Sequence, residues 1–306
     1  MSSTTVLRDA STVKIAVASP SLLGESPVWH PREQALYYCD IPACTLNRFD
    51  PATGELSHWT FDSEIGSCAP MLDGAMLLAA RDGLWRFDPG TGSRSLLAPP
   101  PYDPKIERFN DGKCDPQGRF WVGTVYEPRD PPLASLYCLD RGVLTRRADG
   151  ITVSNGLAWS ADARTMYWSD TKSHTIFAFA FDALSGTLSD RRVLATFPLK
   201  QTQEPLEAYG GRPDGAAVDV EGNYWVAMFE GQRLLCLSPS GERLQEVQLP
   251  VRCPTMPCFG GPDLKTLYIT TARKNRPAAE LAEQPLAGCV LSLRVEVAGL
   301  PANLFN

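Results

Sequence analysis

The feature that most constrains this chain is a pattern that recurs six times along it. Each copy has a lead residue, four mostly apolar or small residues, a turn, and a second strand rich in Tyr, Trp, Val, Ile or Leu. The lead residues are Glu25, Cys68, Asn110, Asn155, Asp214 and Met256. Successive leads lie 43, 42, 45, 59 and 42 residues apart, and the first five copies are followed by a further strand pair. A four-stranded unit that repeats every 40–50 residues or so is typical of a β-propeller blade.

Six such units predict an all-β fold, a six-bladed β-propeller formed by residues 1–306 as one domain. Polar turns and Gly- or Pro-containing connections, with almost no helical periodicity, argue against alternating strands and helices. Segments 13–19 and 290–297 are β-rich, and we expect them to share a blade and close the ring. Two Pro-containing loops, 126–133 and 200–211, interrupt the repeat, and loops of this kind can overhang a pocket.

Composition narrows the class of protein. A net charge of −6 argues against binding to a nucleic acid backbone. No apolar run approaches the roughly 18 residues of a membrane span, and the first residues lack the pattern of a secretory signal. The nine cysteines show no CxxC spacing and are interpreted as reduced, mostly buried residues. We therefore expect a cytoplasmic protein without nucleic acid or membrane partners.

Four of the six lead residues carry side-chain oxygen. In a radial arrangement, Glu25, Asn110, Asn155 and Asp214 fall at one height around the central channel. Buried charges are costly unless they are paired or bound to metal, and oxygen ligands suit Ca²⁺, Mg²⁺, Mn²⁺, Fe²⁺ or Zn²⁺. The pattern predicts one divalent metal ion at one end of the channel. The alternative is that Asn-Asp-Gly, Asn-Gly and Asp-Gly only form turns.

Five motifs in order carry a family resemblance. They are LGESPVW (23–29), RFNDGK (108–113), SNGLAWS (154–160), RPDGAAVD (212–219) and CFGGPDLKTLYIT (258–270). Together they resemble the senescence marker protein/gluconolactonase/luciferin-regenerating enzyme family, which includes regucalcin and bacterial sugar lactonases. The similarity extends over nearly the whole chain, from about residue 23 to residue 293.

The resemblance implies a six-bladed propeller with one divalent metal in the channel. It implies that Glu25, Asn155 and Asp214 bind the metal and that Arg108 and Asn110 face the substrate. The family often has acidic residues in the loop that follows a Gly-Thr pair.

In this chain that loop reads GTVYEPRDPP, so Glu127 is the nearest candidate for a substrate contact. Pro128 stands beside it, which departs from the family pattern.

The resemblance also implies a reaction, the hydrolysis of a sugar lactone to its aldonic acid. A metal-bound lactone carbonyl would be polarised for attack by water, and Asp214 is the candidate base. Arg108 and Asn110 can donate hydrogen bonds to ring hydroxyls, which favours polyhydroxylated substrates. The three histidines, at positions 30, 58 and 174, lie in no nucleophile motif.

Two alternatives remain open. The same metal site can serve an esterase or organophosphatase, or it can belong to a non-catalytic Ca²⁺-binding regulator or scaffold propeller. Arg108 and Asn110 favour an enzyme because they add polar groups beyond those that a metal needs.

Overall fold

The computed structural model describes residues 5–203 and 205–306, and it is nearly all β. Within these described residues, twenty-five strands form six sheets. The helical elements in this part of the chain are a 3₁₀ turn, Ala10–Thr12, and an α-helix, α1 (Ala278–Glu283). In the described residues, therefore, no helix has the length and apolar character needed to cross a bilayer.

Two short strands precede the first blade: β1 (Val6–Arg8) and β2 (Lys14–Val17). Blade 1 contains β3 (Gly24–His30), β4 (Ala35–Asp40), β5 (Thr45–Asp50) and β6 (Glu55–Thr60). Blade 2 contains β7 (Ile65–Pro70), β8 (Met76–Ala80), β9 (Gly83–Phe87) and β10 (Arg94–Ala98). Blade 3 contains β11 (Glu107–Cys114), β12 (Phe120–Tyr126), β13 (Ala134–Asp140) and β14 (Val143–Ile151).

The second half of the ring repeats the arrangement. Blade 4 contains β15 (Ser154–Trp159), β16 (Thr165–Asp170), β17 (Thr175–Asp182) and β18 (Thr187–Thr196). Blade 5 contains β19 (Arg212–Val218), β20 (Tyr224–Phe229), β21 (Arg233–Leu237) and β22 (Arg243–Gln248). Blade 6 contains β23 (Pro254–Gly260), β24 (Thr266–Thr271) and β25 (Val290–Arg294), with β2 as its outermost strand.

Each blade is an antiparallel meander, so the six-bladed propeller predicted from the repeat is confirmed. In blade 6, β2 pairs antiparallel with β25, with Lys14 opposite Ser292. Strands β2 and β25 lie in segments 13–19 and 290–297, which we expected from the sequence to share a blade. In addition, β1 adds to the outer edge of blade 5 by pairing parallel with β22. The sequence did not predict β1, because three residues carry no readable alternation.

The first strands of the blades surround the channel. Each packs against the first strand of the next blade, and β23 packs against β3 to complete the circle. Buried apolar clusters fill the six junctions between adjacent blades. The core is therefore distributed around the ring, which leaves the channel itself available for polar side chains.

The C-terminal segment crosses one end of the channel. The Leu300 N–H donates to the Val218 carbonyl in blade 5 at 3.1 Å, and the Asn306 N–H donates to the Gly118 carbonyl in blade 3 at 3.1 Å. Between them, Leu300 and Asn303 line a cavity of about 260 Å³ within the channel.

Candidate active site

The first strands carry a β-bulge near their beginning, where the lead residues of four blades lie. The pairing register shifts by one residue in each of these blades, between Glu25/Val28, Phe109/Gly112, Asn155/Ala158 and Pro213/Ala216. A bulge bends the strand and changes the direction of the side chains beside it. We call this region of the channel the polar end, defined by Glu25, Asn110, Asn155 and Asp214.

Backbone conformation at the polar end depends on particular residues. Gly156, which follows Asn155, has φ +65°, and a Cβ there would come within 2.3 Å of the Tyr224 hydroxyl oxygen. The Tyr224 hydroxyl in turn donates to the Gly156 carbonyl at 2.8 Å. Ser26, which follows Glu25, has φ +48°. The Gly of the SNG motif therefore lets β15 bend sharply where Asn155 must enter the channel.

Blades 2 and 6 differ from the other four. Their bulges lie between Ile65 and Ser67 and between Pro254 and Met256. Cys68 and Met256, the lead residues of these two repeats, therefore follow the bulge, and both line the cavity beneath the C-terminal segment. The repeat had aligned them with the oxygen-bearing leads, because spacing alone does not reveal where the extra residue of a bulge is inserted.

A chain of hydrogen bonds joins three blades at the polar end. Asn110 Nδ2 donates to Asn155 Oδ1 at 3.0 Å, and Asn155 Nδ2 donates to Thr171 Oγ1 at 2.7 Å. Thr171 Oγ1 donates to the Pro213 carbonyl at 2.8 Å, directly before Asp214. These bonds fix the Asn155 amide so that its oxygen faces Asn110. Thr171 was missed by the sequence reasoning because it lies in the turn after β16, outside the aligned positions.

Arg108 and Glu127 meet at the rim of the polar end. Arg108 Nη1 donates to Asn110 Oδ1 at 2.7 Å, and its Nε lies 3.8 Å from Glu127 Oε1. Glu127 also accepts two hydrogen bonds from Arg81, at 2.8 and 3.0 Å. The hydrogen bond from Arg81 is the main cause that lowers the pKa of Glu127. Glu127 thus lies where it can orient Arg108.

The two carboxyl groups of the polar end are buried and repel one another. Burial, followed by repulsion from Asp214 and Asp111, raises the pKa of Glu25 well above its usual value. Burial also raises the pKa of Asp214 to about 8; repulsion from Asp111 adds to the effect, while Arg212 opposes it. Ionised carboxylates in such a site need a compensating cation.

Asp111 is a third buried acid, and the sequence reasoning missed it. Its Oδ2 accepts the Leu157 N–H at 2.8 Å, while its Oδ1 has no hydrogen-bond partner among the described residues. Burial raises the pKa of Asp111, although Lys113 opposes that shift. Strand alternation would turn neighbouring side chains in opposite directions, yet Asn110 and Asp111 both reach β15. The bulge in β11 explains this, and the Asn-Asp-Gly sequence was its only signal.

The residues of the polar end fit a hard divalent cation. Within residues 5–203 and 205–306, no three His, Cys, Asp or Glu side chains converge as a metal-binding group. The predicted set has only two carboxylates, Glu25 and Asp214, and its third member is the amide oxygen of Asn155. A cation between the two carboxylates would offset the effect of burial, which raises both pKa values, and the repulsion of Glu25 by Asp214.

Both interrupting loops are attached to the turn between β16 and β17, beside Thr171. His174 Nδ1 lies 2.8 Å from the Pro198 carbonyl oxygen, and its Nε2 lies 3.1 Å from the Tyr209 hydroxyl. Lys172 Nζ donates to the Arg129 carbonyl. The His174 side chain therefore holds the loop that precedes β19. The loop that follows β12 is held beside it by Lys172, at the edge of the polar end.

Comparisons with known proteins agree with the fold and identify the family. A model of the SMP-30/Gluconolactonase/LRE-like region matches residues 23–273. A 6-deoxy-6-sulfogluconolactonase from Pseudomonas putida is 44% identical over 295 residues, covering 96% of this chain and 98% of the relative. Regucalcin from Danio rerio is 36% identical over 295 residues, covering 94% and 96%. The crystal structure of a calcium-binding protein, regucalcin, from Agrobacterium tumefaciens superimposes with a TM-score of 0.91 at 25% identity, covering 99% and 100%.

Proposed function

The chain belongs to the SMP-30/gluconolactonase/LRE-like family, and from that premise we infer that it is a lactonase that uses a divalent metal ion to hydrolyse an aldonolactone to the aldonic acid. The observation that carries this inference is the pair of buried, mutually repelling carboxyl groups, Glu25 and Asp214, beside hydrogen-bond donors that no metal requires.

Glu25, Asn155 and Asp214 would hold the metal. The Asn155 amide is already oriented by Asn110 and Thr171, so little side-chain freedom is lost when it binds. Ser26 N–H donates to Glu25 Oε2 at 3.2 Å and restrains that carboxylate in the same way. When bound, the metal would supply positive charge that polarises the lactone carbonyl.

Asp214 is the general base in this proposal. Burial raises the pKa of Asp214 and makes its carboxylate a better proton acceptor than an ordinary aspartate, while a bound cation would lower that pKa again. It would accept a proton from the attacking water and return it to the ring oxygen as the ester bond breaks. Arg212, which lies two residues earlier on β19, opposes this rise in pKa.

Arg108 and Asn110 would orient the sugar. The Arg108 guanidinium is held by the Phe109 carbonyl at 3.0 Å and by Asn110 Oδ1, and Glu127 lies on its other side. Its remaining N–H groups can donate to ring hydroxyls or to the carbonyl oxygen. Glu127 acts on the substrate through Arg108 rather than by contact.

A calcium-binding protein without turnover is the second candidate. Regucalcin relatives and a neighbour described as calcium-binding favour it. The P. putida relative is named for a lactone that carries a sulfonate. Anionic aldonolactones therefore belong in any substrate panel for this protein.

A cytoplasmic location completes the proposal. All nine cysteines are free thiols, and most are buried. Free thiols in this number suit a reducing compartment.

The test is hydrolysis of a panel of aldonolactones by metal-stripped protein, with each divalent ion added back in turn. Turnover restored by one or two ions supports the lactonase. Metal binding without turnover above the spontaneous rate, on every lactone and simple ester, would favour the calcium-binding candidate.

A further inference from the structure

Charge is distributed unevenly around the rim of the polar end. On the side of blades 2 and 3, cations and carboxylates are matched: Arg81 contacts Glu64 and Glu127, and Glu127 also lies near Arg108. On the side of blades 4 and 5, three cations of the described residues contact two carboxylates: Arg276, Lys200 and Arg212 contact Glu230, and Arg276 also contacts Glu280. This difference indicates that the second side has positive charge to offer a ligand.

The contacts of Glu230 show this excess of cations over carboxylates most clearly. Three cations share this one buried carboxylate: Arg276 Nη1 at 2.6 Å, Lys200 Nζ at 3.3 Å and Arg212 Nη1 at 3.3 Å. Arg276 has a second partner in Glu280 at 2.6 Å. The Arg212 guanidinium also stacks over the Phe229 ring, 5.0 Å from its centroid, which fixes its plane. Arg212 is therefore an immobilised and only partly neutralised cation, two residues from Asp214.

Arg129 lies in the loop after β12, on the side of the polar end that also carries Arg212. The bond from Lys172 Nζ to its backbone carbonyl fastens this loop to the turn that also carries Thr171. The Arg129 guanidinium is near enough to lower the pKa values of both Glu127 and Asp214, which belong to opposite sides of the rim. The loop that carries Arg129 is therefore held beside Thr171, whose hydroxyl donates to the Pro213 carbonyl next to Arg212.

We propose that Arg129, Lys172 and Arg212 form a subsite for an anionic substituent, such as a sulfonate, phosphate or carboxylate, on the exocyclic carbon of the lactone. The inference rests on the proposed function and specifies its substrate class. A guanidinium pair presents parallel N–H donors that match the oxygens of such a group, and a lysine adds a third cation. Arg108, which is oriented by Asn110 on the other side of the channel, has further N–H groups that can contact the ring.

The first experiment compares lactone pairs that differ only in this substituent. We would measure kcat/KM for gluconolactone and for its 6-phospho and 6-sulfo counterparts, using wild type, Arg129→Gln, Lys172→Gln and the control Arg146→Gln. Arg146 is an exposed blade-3 residue that pairs with Asp149 on the same strand. We expect wild type to prefer the anionic lactones and Arg129→Gln to reduce the anionic-to-neutral ratio about tenfold or more.

High salt provides an independent readout, because it screens exposed charge pairs. Raising the ionic strength should reduce the preference for the anionic lactones in wild type more than in Arg129→Gln. Equal kcat/KM for neutral and anionic lactones in wild type, or an unchanged ratio in both loop variants, would overturn the subsite while leaving the lactonase intact.

Binding of the open-chain products separates the two proposals. Calorimetry with gluconate and 6-phosphogluconate requires no turnover. Tighter binding of 6-phosphogluconate that is lost in Arg129→Gln, in a protein that hydrolyses no lactone, would support the subsite and contradict the lactonase. No difference between the two ligands in wild type would count against the subsite whatever the activity.

Discussion

The two ends of the channel are formed by the same six strands but have opposite chemistry. Three residues beyond Glu25, Asn155 and Asp214, the side chains of Val28, Ala158 and Ala217 line the cavity beneath the C-terminal segment. We call that region the apolar end, defined by those three residues. The bulge separates the ends: before it, oxygen-bearing side chains enter the channel, and after it, regular pairing resumes and apolar side chains follow.

Lys113 is a charged residue in the cavity of the apolar end, and so departs from the division between a polar and an apolar end. It lies three residues after Asn110, at the position that is apolar in blades 1, 4 and 5, and it also lines the cavity. Its ammonium donates to the Ala216 carbonyl at 2.7 Å, and burial lowers its pKa. Substitutions at the polar end should therefore change chemistry, whereas substitutions at the apolar end should change stability.

The largest effect is expected from Asp214→Asn at the polar end. The amide cannot accept a proton from water, so kcat should fall about a thousandfold while the fold is retained. The measurement is kcat together with a thermal melt, and the matched control is Asp190→Asn, a change at an exposed residue of β18. Full activity in Asp214→Asn would remove this residue from the catalytic role.

Phe305→Ala tests the apolar end. Phe305 is buried against the junction of blades 2 and 3, and its backbone bonds to Pro70 and Leu72. Removing the ring should cost about 3 kcal/mol in the free energy of unfolding. Activity per folded molecule should be unchanged, and Phe305→Leu should recover most of the stability. A selective loss of kcat would show that the two ends are coupled.

Metal and pH should act on the polar end alone. Asp214 has a folded pKa of about 8 against an ordinary 3.8, so the folded protein binds this proton more tightly than the unfolded chain. Its contribution to the stability of the metal-free protein is therefore present at low pH and is lost as pH rises from about 4 to about 8. Burial acts on Glu25 in the same direction.

A divalent ion should reverse that loss. At about a hundred times its Kd it should add about 2.7 kcal/mol at pH 8, and less at pH 5, where protons compete. Urea unfolding at both pH values, with and without metal, gives the result. The Glu25→Gln variant should lose the metal response and Phe305→Leu should keep it; the same response in both would place the ion elsewhere.

The smallest effect is expected from Tyr209→Phe. This change removes the hydroxyl that contacts His174, at a cost of about 1 kcal/mol. Because the bond fastens a loop at the polar end, we expect KM to rise more than kcat falls, which steady-state kinetics would detect. His174→Gln should have a similar effect, whereas a matched change at His58, in the strand pattern ELSHWTF, should have none.

The sequence predicted the repeating parts of this molecule better than the irregular ones. Blade spacing and turn chemistry repeat, so the fold and the shared height of Glu25, Asn110, Asn155 and Asp214 were readable. Asp111 was not, because its direction depends on a bulge whose insertion point leaves no trace in spacing.

Loop residues were hidden for a different reason. Arg129 and Thr171 act from connections that the repeat does not align, and their positions depend on tertiary contacts such as the bonds to Lys172 and Pro213. The resemblance to a family supplied the proposed metal ligands, but it could not supply the charge balance around them.

The pairing of β2 with β25 has a consequence for synthesis on the ribosome. Blade 6 takes its outer strand from the beginning of the chain and its other three strands from near the end. Five blades can therefore leave the ribosome before β25 is available to pair with β2. An unpaired strand edge can pair with another chain. Lys14, the first residue of β2, places a charge on that edge, and a charged edge disfavours such pairing.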